Sequence, residues 1–330
     1  MRTLFLLLSL LFSFNTVIAQ QLKEQTTTLL LMGSRFEVTA VAENELVAWE
    51  AIHAGIAEIT RIEQLISSWD ATSQTSEINR QAGIRAVKVD KELFDLIFRA
   101  KKISALTQGA FDISYASMDK IWKFDGSMKT MPSEAIVEKA SAKINWENIL
   151  LNSASTSVFL KEKGMKIGFG AMGKGYAANK AKAIMQTMKG IKGGLVNAGG
   201  DLIAWGQSSQ KEGWNIKIAD PKDKQKMLAY LQLENQAVVT SGDYEKYVQF
   251  DGIRYAHIID PRTGYPTTGI KSVTIISPDS ELSDALATAV FVMGKKLGLD
   301  LINEIKGVEG LIVTDEDQLL TTHNLKLNYY

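Results

Sequence analysis

His257 stands in the run Ala256-His257-Ile258-Ile259-Asp260-Pro261-Arg262-Thr263-Gly264-Tyr265-Pro266, where an apolar stretch meets a turn written by Asp-Pro and Thr-Gly. That setting puts one imidazole at a strand end, within reach of a cleft. Imidazole titrates near neutrality and can accept a hydroxyl proton. Further on, Ser283-Asp284-Ala285-Leu286-Ala287-Thr288 spaces a carboxylate and a hydroxyl at i, i+4, on one face of a helix. An imidazole together with two hard oxygens suits metal-assisted phosphate chemistry. A sparse pair such as Asp284 and Thr288 also suits Mg2+, which keeps few protein ligands and completes its shell with substrate phosphates. On spacing alone, Asp284 reads more readily as a helix N-terminal residue favoured by the dipole, with Thr288 a surface hydroxyl. His53, in an amphipathic helical pattern, and His323, near a polar tail, read as structural or solvated.

The glycine-rich run Gly168-Phe169-Gly170-Ala171-Met172-Gly173-Lys174-Gly175 spells two familiar patterns at once. As a dinucleotide fingerprint it lacks the ribose-binding acid, because no Asp or Glu occurs between Gly175 and Gly200. As a phosphate loop it lacks the Ser or Thr after Lys174, where Gly175 stands. What survives is the physics: glycines let backbone amides approach an anion, and a helix opening near Tyr176 adds its positive end. Lys174 is then placed to neutralise a phosphate.

Other motifs keep a fixed order around these. Leu31-Met32-Gly33-Ser34-Arg35-Phe36 comes first, then Ser67-Ser68-Trp69, Ser76-Glu77-Ile78-Asn79-Arg80, Gly109-Ala110-Phe111-Asp112, and Val196-Asn197-Ala198-Gly199-Gly200-Asp201. With the glycine run and the His257 and Asp284 segments, they resemble the signature of the ApbE-type flavin transferases (FAD:protein FMN transferases) from about Leu31 to the C-terminus. The resemblance implies a single ApbE-like domain. It implies Mg2+ held by Asp284, Thr288 and the Ala171 carbonyl, and FAD lined by Met32, Trp69, Ala110, Phe111, Asp112, Lys174 and Ile258. It gives His257 the task of activating the attacking hydroxyl. Asp260 reads as a turn residue, and Asn197 and Asp201 as structural. One departure stands out: the family usually has an Asp where this chain has Gly168.

The implied reaction passes FMN from FAD to a Ser or Thr of an exported redox protein carrying a Thr motif, with AMP leaving. Two alternatives stay open, an FAD pyrophosphatase and an exported flavin-binding protein without turnover. Asn152-Ser153-Ala154-Ser155-Thr156 only faintly echoes the acceptor motif, and self-flavinylation is not expected.

The elements that must position these residues follow from periodicity. Helical spacing marks Glu43–Leu65, Lys91–Leu106, Ser133–Lys143 (capped by Ser133), Tyr176–Met188 and Leu282–Met293, the last closed by Gly294. Thr28–Ala42 reads as one strand with a bulge at Met32-Gly33. Strand-like runs cover Asn148–Leu151, Val158–Leu160, Gly194–Asn197, Leu202–Trp205, Asn215–Ala219, Leu228–Leu233, Ala237–Thr240, Tyr247–Asp251, Ser272–Ser277 and Gly310–Thr314. Strands neighbouring one another, with helices coming singly, predict an α+β fold with largely antiparallel mixed sheets and flanking helices.

Composition sets the surroundings. The 37 basic and 37 acidic side chains cancel, which argues against bulk capture of nucleic acid or anionic membrane. Arg2, the apolar run Leu4–Phe14 and Val17-Ile18-Ala19 read as a secretory leader cut ahead of Gln20. That leaves residues 20–330 as the domain. With no cysteine in the chain, neither a lipid anchor nor disulfides are expected, and the mature protein reads as exported and without a stable membrane anchor; the family resemblance, together with the leader, implies the periplasm.

Overall fold

The computed structural model describes residues 21–210, 213–220, 223–242 and 247–327. The expected leader, residues 1–19, lies outside the described residues.

The chain opens with β1 (Lys23–Leu31), β2 (Ser34–Ala42), α1 (Glu45–Ile66), α2 (Gln74–Arg80), β3 (Val87–Lys88), α3 (Lys91–Leu106) and α4 (Glu134–Ser141). Then come β4 (Ile149–Asn152), β5 (Ser157–Leu160), α5 (Gly173–Met185), β6 (Ile191–Ala198), β7 (Asp201–Gly206), β8 (Trp214–Asp220) and β9 (Asp223–Leu233). The last part holds β10 (Gln236–Gly242), β11 (Tyr247–Phe250), β12 (Ile253–Ala256), β13 (Ile270–Ser277), α6 (Ser280–Met293), α7 (Lys295–Glu304), β14 (Glu309–Thr314) and β15 (Leu319–Thr321).

An eight-stranded sheet in the order β1-β2-β6-β7-β10-β13-β14-β15 is the central layer, and every neighbouring pair in it is antiparallel. The pleat sends alternate side chains to opposite faces. Phe36, Val38, Val196, Ala198 and Ile203 face α1 and α5 in the main core, while Val273, Ile275 and Ile312 pack with Leu286, Val290 and Phe291 of α6. The intervening residues Val41, Leu195, Leu202 and Ala204 turn the other way and are covered by Trp214, Leu231 and Leu233 of the β8–β9 hairpin. Both faces are therefore buried, and the fold is the α+β architecture expected, with helices flanking antiparallel sheets.

The run Thr28–Ala42 is not one bulged strand but β1 and β2, joined through Met32-Gly33. Both residues have positive φ, 51° and 69°, and Leu31 pairs directly with Ser34. That is a two-residue hairpin of the primed type, whose twist matches its strands. Helix α6 begins two residues before Leu282, because the Asp279 side chain accepts the Leu282 N–H at 3.1 Å and caps it. Ser133 does occupy the N-cap of α4, without a side-chain cap bond. Leu46, an apolar residue in the first turn of α1, is 69% exposed.

Candidate active site

Two helix starts meet at Gly175. The backbone N–H of Gly175, in the first turn of α5, donates to Oδ2 of Asp284 on α6 at 3.0 Å. First-turn N–H groups have no partner within their own helix, and Met172 at the N-cap offers no side-chain bond. A carboxylate from the neighbouring helix does that work instead. Only glycine permits the approach, since a Cβ at 175 would lie 2.2 Å from the Ser280 carbonyl oxygen and 2.9 Å from Asp284 Cβ.

Asp284 is buried, and burial, reinforced by the nearby Asp201 carboxylate, pushes its carboxyl up to about 8 against the pull of Lys174 and the Gly175 N–H. Its Oδ1 has no donor among the described residues. Thr288 follows one turn later on the same helix, half-buried. The Ala171 carbonyl, just before α5, likewise receives no backbone N–H among the described residues. No cluster of three or more His, Asp or Glu able to hold a metal occurs among the described residues. A cation here would draw on one carboxylate, a hydroxyl and a carbonyl, the donor set of a sparse Mg2+ site finished by substrate phosphates. A carboxyl held this far above its usual range gains most from an added positive charge.

Lys174 does not point at the site as a lone cation. Its Nζ is ion-paired with Asp201, which is 3% exposed, and lies 3.5 Å from the Ala198 carbonyl. Burial alone would lower the lysine, but attraction to Asp201 and Asp284 more than offsets it and keeps the group charged. Asp201, read as structural on its letters, therefore fixes the side chain that was expected to meet phosphate.

His257 follows β12 directly and is exposed, its ring edge-on to Phe124 at 6.4 Å. The loop after it is closed on itself. Thr267 N–H donates to the Ile258 carbonyl and Ala256 N–H to the Thr267 carbonyl, both at 2.9 Å. Asp260 takes the Arg262 guanidinium in a fork at 2.9 and 2.8 Å, which is the turn-holding part expected of it. Trp122 Nε1 donates to the Gly264 carbonyl at 2.9 Å. The neighbours of the histidine, Ala256 and Ile258, pack into the cluster that contains Leu286 and Ala287 of α6. The imidazole is thus set on a fixed loop beside the helix of Asp284 and Thr288.

With this arrangement in view, the ApbE family matches residues 32–312. The chain belongs to the ApbE family. It is 30% identical over 301 residues to a FAD:protein FMN transferase of Klebsiella pneumoniae (strain 342), spanning 91% of this chain and 92% of that relative. It is 32% identical over 281 residues to a FAD:protein FMN transferase of Treponema pallidum (strain Nichols), spanning 79% of this chain and 77% of the relative. The crystal structure of the ApbE protein from Thermotoga maritima superposes with a TM-score of 0.80 at 32% identity, over 91% of this chain and 97% of that one.

The remaining ApbE positions divide by setting. Trp69 is 84% exposed with Lys120 Nζ 5.0 Å from its ring centre. Met32, at the hairpin tip, donates its N–H to Glu63 Oε1 at 3.0 Å, and Ile258 packs half-buried against the α6 cluster. Ala110 and Phe111 are buried. Asp112 spends both oxygens on backbone, accepting Ser114 N–H at 2.7 Å and Trp146 N–H at 2.9 Å, and burial raises its carboxyl above the ordinary range. Its part is to order the 112–117 turn and tie it to Trp146. Gly168 donates its N–H to the Ile113 carbonyl at 3.0 Å, and a Cβ there would press on Ala116 Cβ at 3.1 Å. The family's aspartate position therefore sits against the segment that Asp112 orders. An open pocket of about 320 Å³ lined by Arg35, Glu37, Asn197, Gly199 and Gly200 is a separate feature. Arg35, Glu37 and Asn197 alternate with Phe36 and Ala198 of the main core and so open on the sheet face away from α5, while Gly199 and Gly200 form the turn between β6 and β7.

Proposed function

We propose that this enzyme transfers FMN from FAD to a Ser or Thr hydroxyl of an exported partner protein in a Mg2+-dependent reaction, forming a phosphoester and releasing AMP. The observation that carries the proposal is the buried Asp284 carboxylate bonded to the Gly175 N–H where α5 and α6 meet, within a chain of the ApbE family. The relatives named as FAD:protein FMN transferases support flavin transfer as the activity.

Asp284, Thr288 and the Ala171 carbonyl would hold the metal, and bound Mg2+ would supply Lewis-acid neutralisation of the diphosphate. The positive end of α5 faces the same anion. Lys174, held charged by Asp201, adds a fixed cation close by. His257 accepts the proton of the acceptor hydroxyl as its oxygen forms a bond to the FMN phosphorus. The bond from that phosphorus to the bridging oxygen breaks, and AMP departs with that oxygen. Met32, Trp69, Ala110, Phe111, Asp112 and Ile258 form or support the flavin side of the cleft. The leader reading places this reaction outside the cytoplasm, and no helix among the described residues is long and apolar enough to cross a membrane.

The test incubates the mature chain with FAD, Mg2+ and a peptide-tagged acceptor carrying a Thr motif, followed by intact mass. A gain of one FMN, lost with EDTA, is expected. Free FMN and AMP without labelling would replace the transferase by a pyrophosphatase. Intact bound FAD would leave a flavin carrier, with Gly168 as the first suspect.

A further inference from the structure

Arg99 touches none of the three proposed metal ligands, yet it reaches α6, which carries Asp284 and Thr288, and α5, which directly follows Ala171. It projects from α3 and forks onto the buried Glu281 of α6, Nε to Oε1 at 2.7 Å and an Nη to Oε2 at 3.0 Å. Its guanidinium also lies 5.5 Å from the ring centre of Tyr176 on α5. Glu281 is three residues before Asp284, and Tyr176 is the residue after Gly175. The Tyr176 ring is buried, and its hydroxyl donates to Glu92 Oε1, also on α3, at 2.6 Å.

We infer that Arg99 is a positioning residue, one that fixes the crossing of α5 and α6 and thereby the placement of Asp284 against the Ala171–Gly175 turn. The inference rests on the metal reading given above and adds to it the group that sets the geometry. Three features support it. The fork is bidentate, so it fixes the orientation of Glu281 as well as its distance, as a lysine could not. The planar guanidinium can stack on an aromatic face at the same time. The crossing itself is unforgiving, because Gly175 already meets the α6 backbone with no room for a Cβ. A small rotation of either helix would break the Gly175 to Asp284 hydrogen bond or drive the backbones together. Groups that orient metal ligands from outside the ligand set commonly change metal affinity about 10- to 100-fold when removed.

The test compares wild type, Arg99→Lys, Arg99→Ala and Asp284→Ala of the full mature chain. Mn2+ binding is followed by the EPR signal of free Mn2+, and amide exchange is followed across residues 172–176. Circular dichroism well below the unfolding transition selects the folded variants, and Arg99→Lys keeps the charge if Arg99→Ala does not fold. The expected result is a roughly tenfold or greater loss of Mn2+ affinity in Arg99→Lys, with faster exchange at 172–176 and an unchanged far-ultraviolet spectrum. Unchanged Mn2+ affinity in Arg99→Lys, with binding lost in Asp284→Ala, would overturn the positioning role and leave the metal reading in place. Wild-type affinity in Asp284→Ala would overturn the metal assignment and this inference with it.

Discussion

Asp284 has two partners to serve with two oxygens. One accepts Gly175 N–H, and in the proposed reaction the other would bind the cation. Replacing it with Asn separates the two tasks, since an amide oxygen can still accept the Gly175 N–H but brings no charge. Asp284→Asn is expected to stay folded while its FMN transfer falls to the level seen with EDTA; Mg2+-stimulated transfer at the wild-type rate would remove Asp284 from the ligand set. His257→Ala, altering an exposed side chain, is expected to bind FAD normally and transfer FMN about 10²- to 10⁴-fold more slowly. An unchanged rate would take the imidazole out of the chemistry. Gly175→Ala places a methyl group where the Ser280 carbonyl stands. It should cost about 1–3 kcal/mol in urea unfolding and lower transfer, and a fully stable, active variant would mean that the helix crossing tolerates separation. At this scale the sequence made local placement legible, His257 after an apolar strand and Asp284 one helical turn before Thr288. The Lys174–Asp201 pair spans 27 residues and Arg99–Glu281 spans 182. No spacing rule reaches that far, and only the fold brings them together.

Helix α3 acts as the shared support for the helices around the site. Its Glu92 accepts from Arg61 of α1 at 2.7 Å and from the Tyr176 hydroxyl at 2.6 Å, and pairs with Lys180 of α5 at 2.9 Å. The hydrogen bond from Arg61, the largest influence, holds the Glu92 carboxyl down at about 2, with help from Tyr176 and Lys180. A carboxyl depressed in the folded state stabilises fully above its unfolded value, near 4.5, and loses that contribution as pH falls toward 2. The shift alone bounds the effect at about 3 kcal/mol, and solvent screening of a partly exposed group reduces it to about 1–2 kcal/mol. The stability gap between wild type and Glu92→Gln, from urea midpoints, should therefore be widest above pH 5 and close as pH drops to 2. A gap that stays constant over that range would show that Glu92 acts through packing rather than charge. Among elements, long amphipathic helices were the most legible, and α3 occupies the Lys91–Leu106 span that its stripe of Leu93, Leu96, Ile97, Ala100 and Ile103 defines. The missed elements were short or abutted a stronger signal. α7 begins right after Gly294, whose φ of 82° ends α6, so one glycine both closes a helix and precedes the next. β3 and β15, with two and three residues, are too short to show alternation, and the Met32-Gly33 hairpin passed for a bulge because positive φ at Met32 leaves no trace in its letter.

For the molecule as a whole, the antiparallel character of the sheet could be read from strands following one another closely, whereas the strand order could not. β10 joins β7 across the inserted β8–β9 hairpin, and that insertion covers the far face of the sheet with Trp214, Leu231 and Leu233. The helices and the site therefore lie on one side, and the hairpin closes the other. The six tryptophans differ in environment, with Trp49 and Trp146 half-buried. Trp122, Trp205 and Trp214 are buried, whereas Trp69 is 84% exposed beside Lys120. In optical terms the protein carries its own reporter: Trp69 should emit at the red edge of the tryptophan band, and an isoalloxazine ring laid against it should quench that edge first. Titrating FAD into wild type and Trp69→Phe while watching red-edge emission gives an occupancy curve without any label. Loss of the red-edge component in the variant would assign the signal to one side chain, and equal quenching in both would move the flavin away from Trp69.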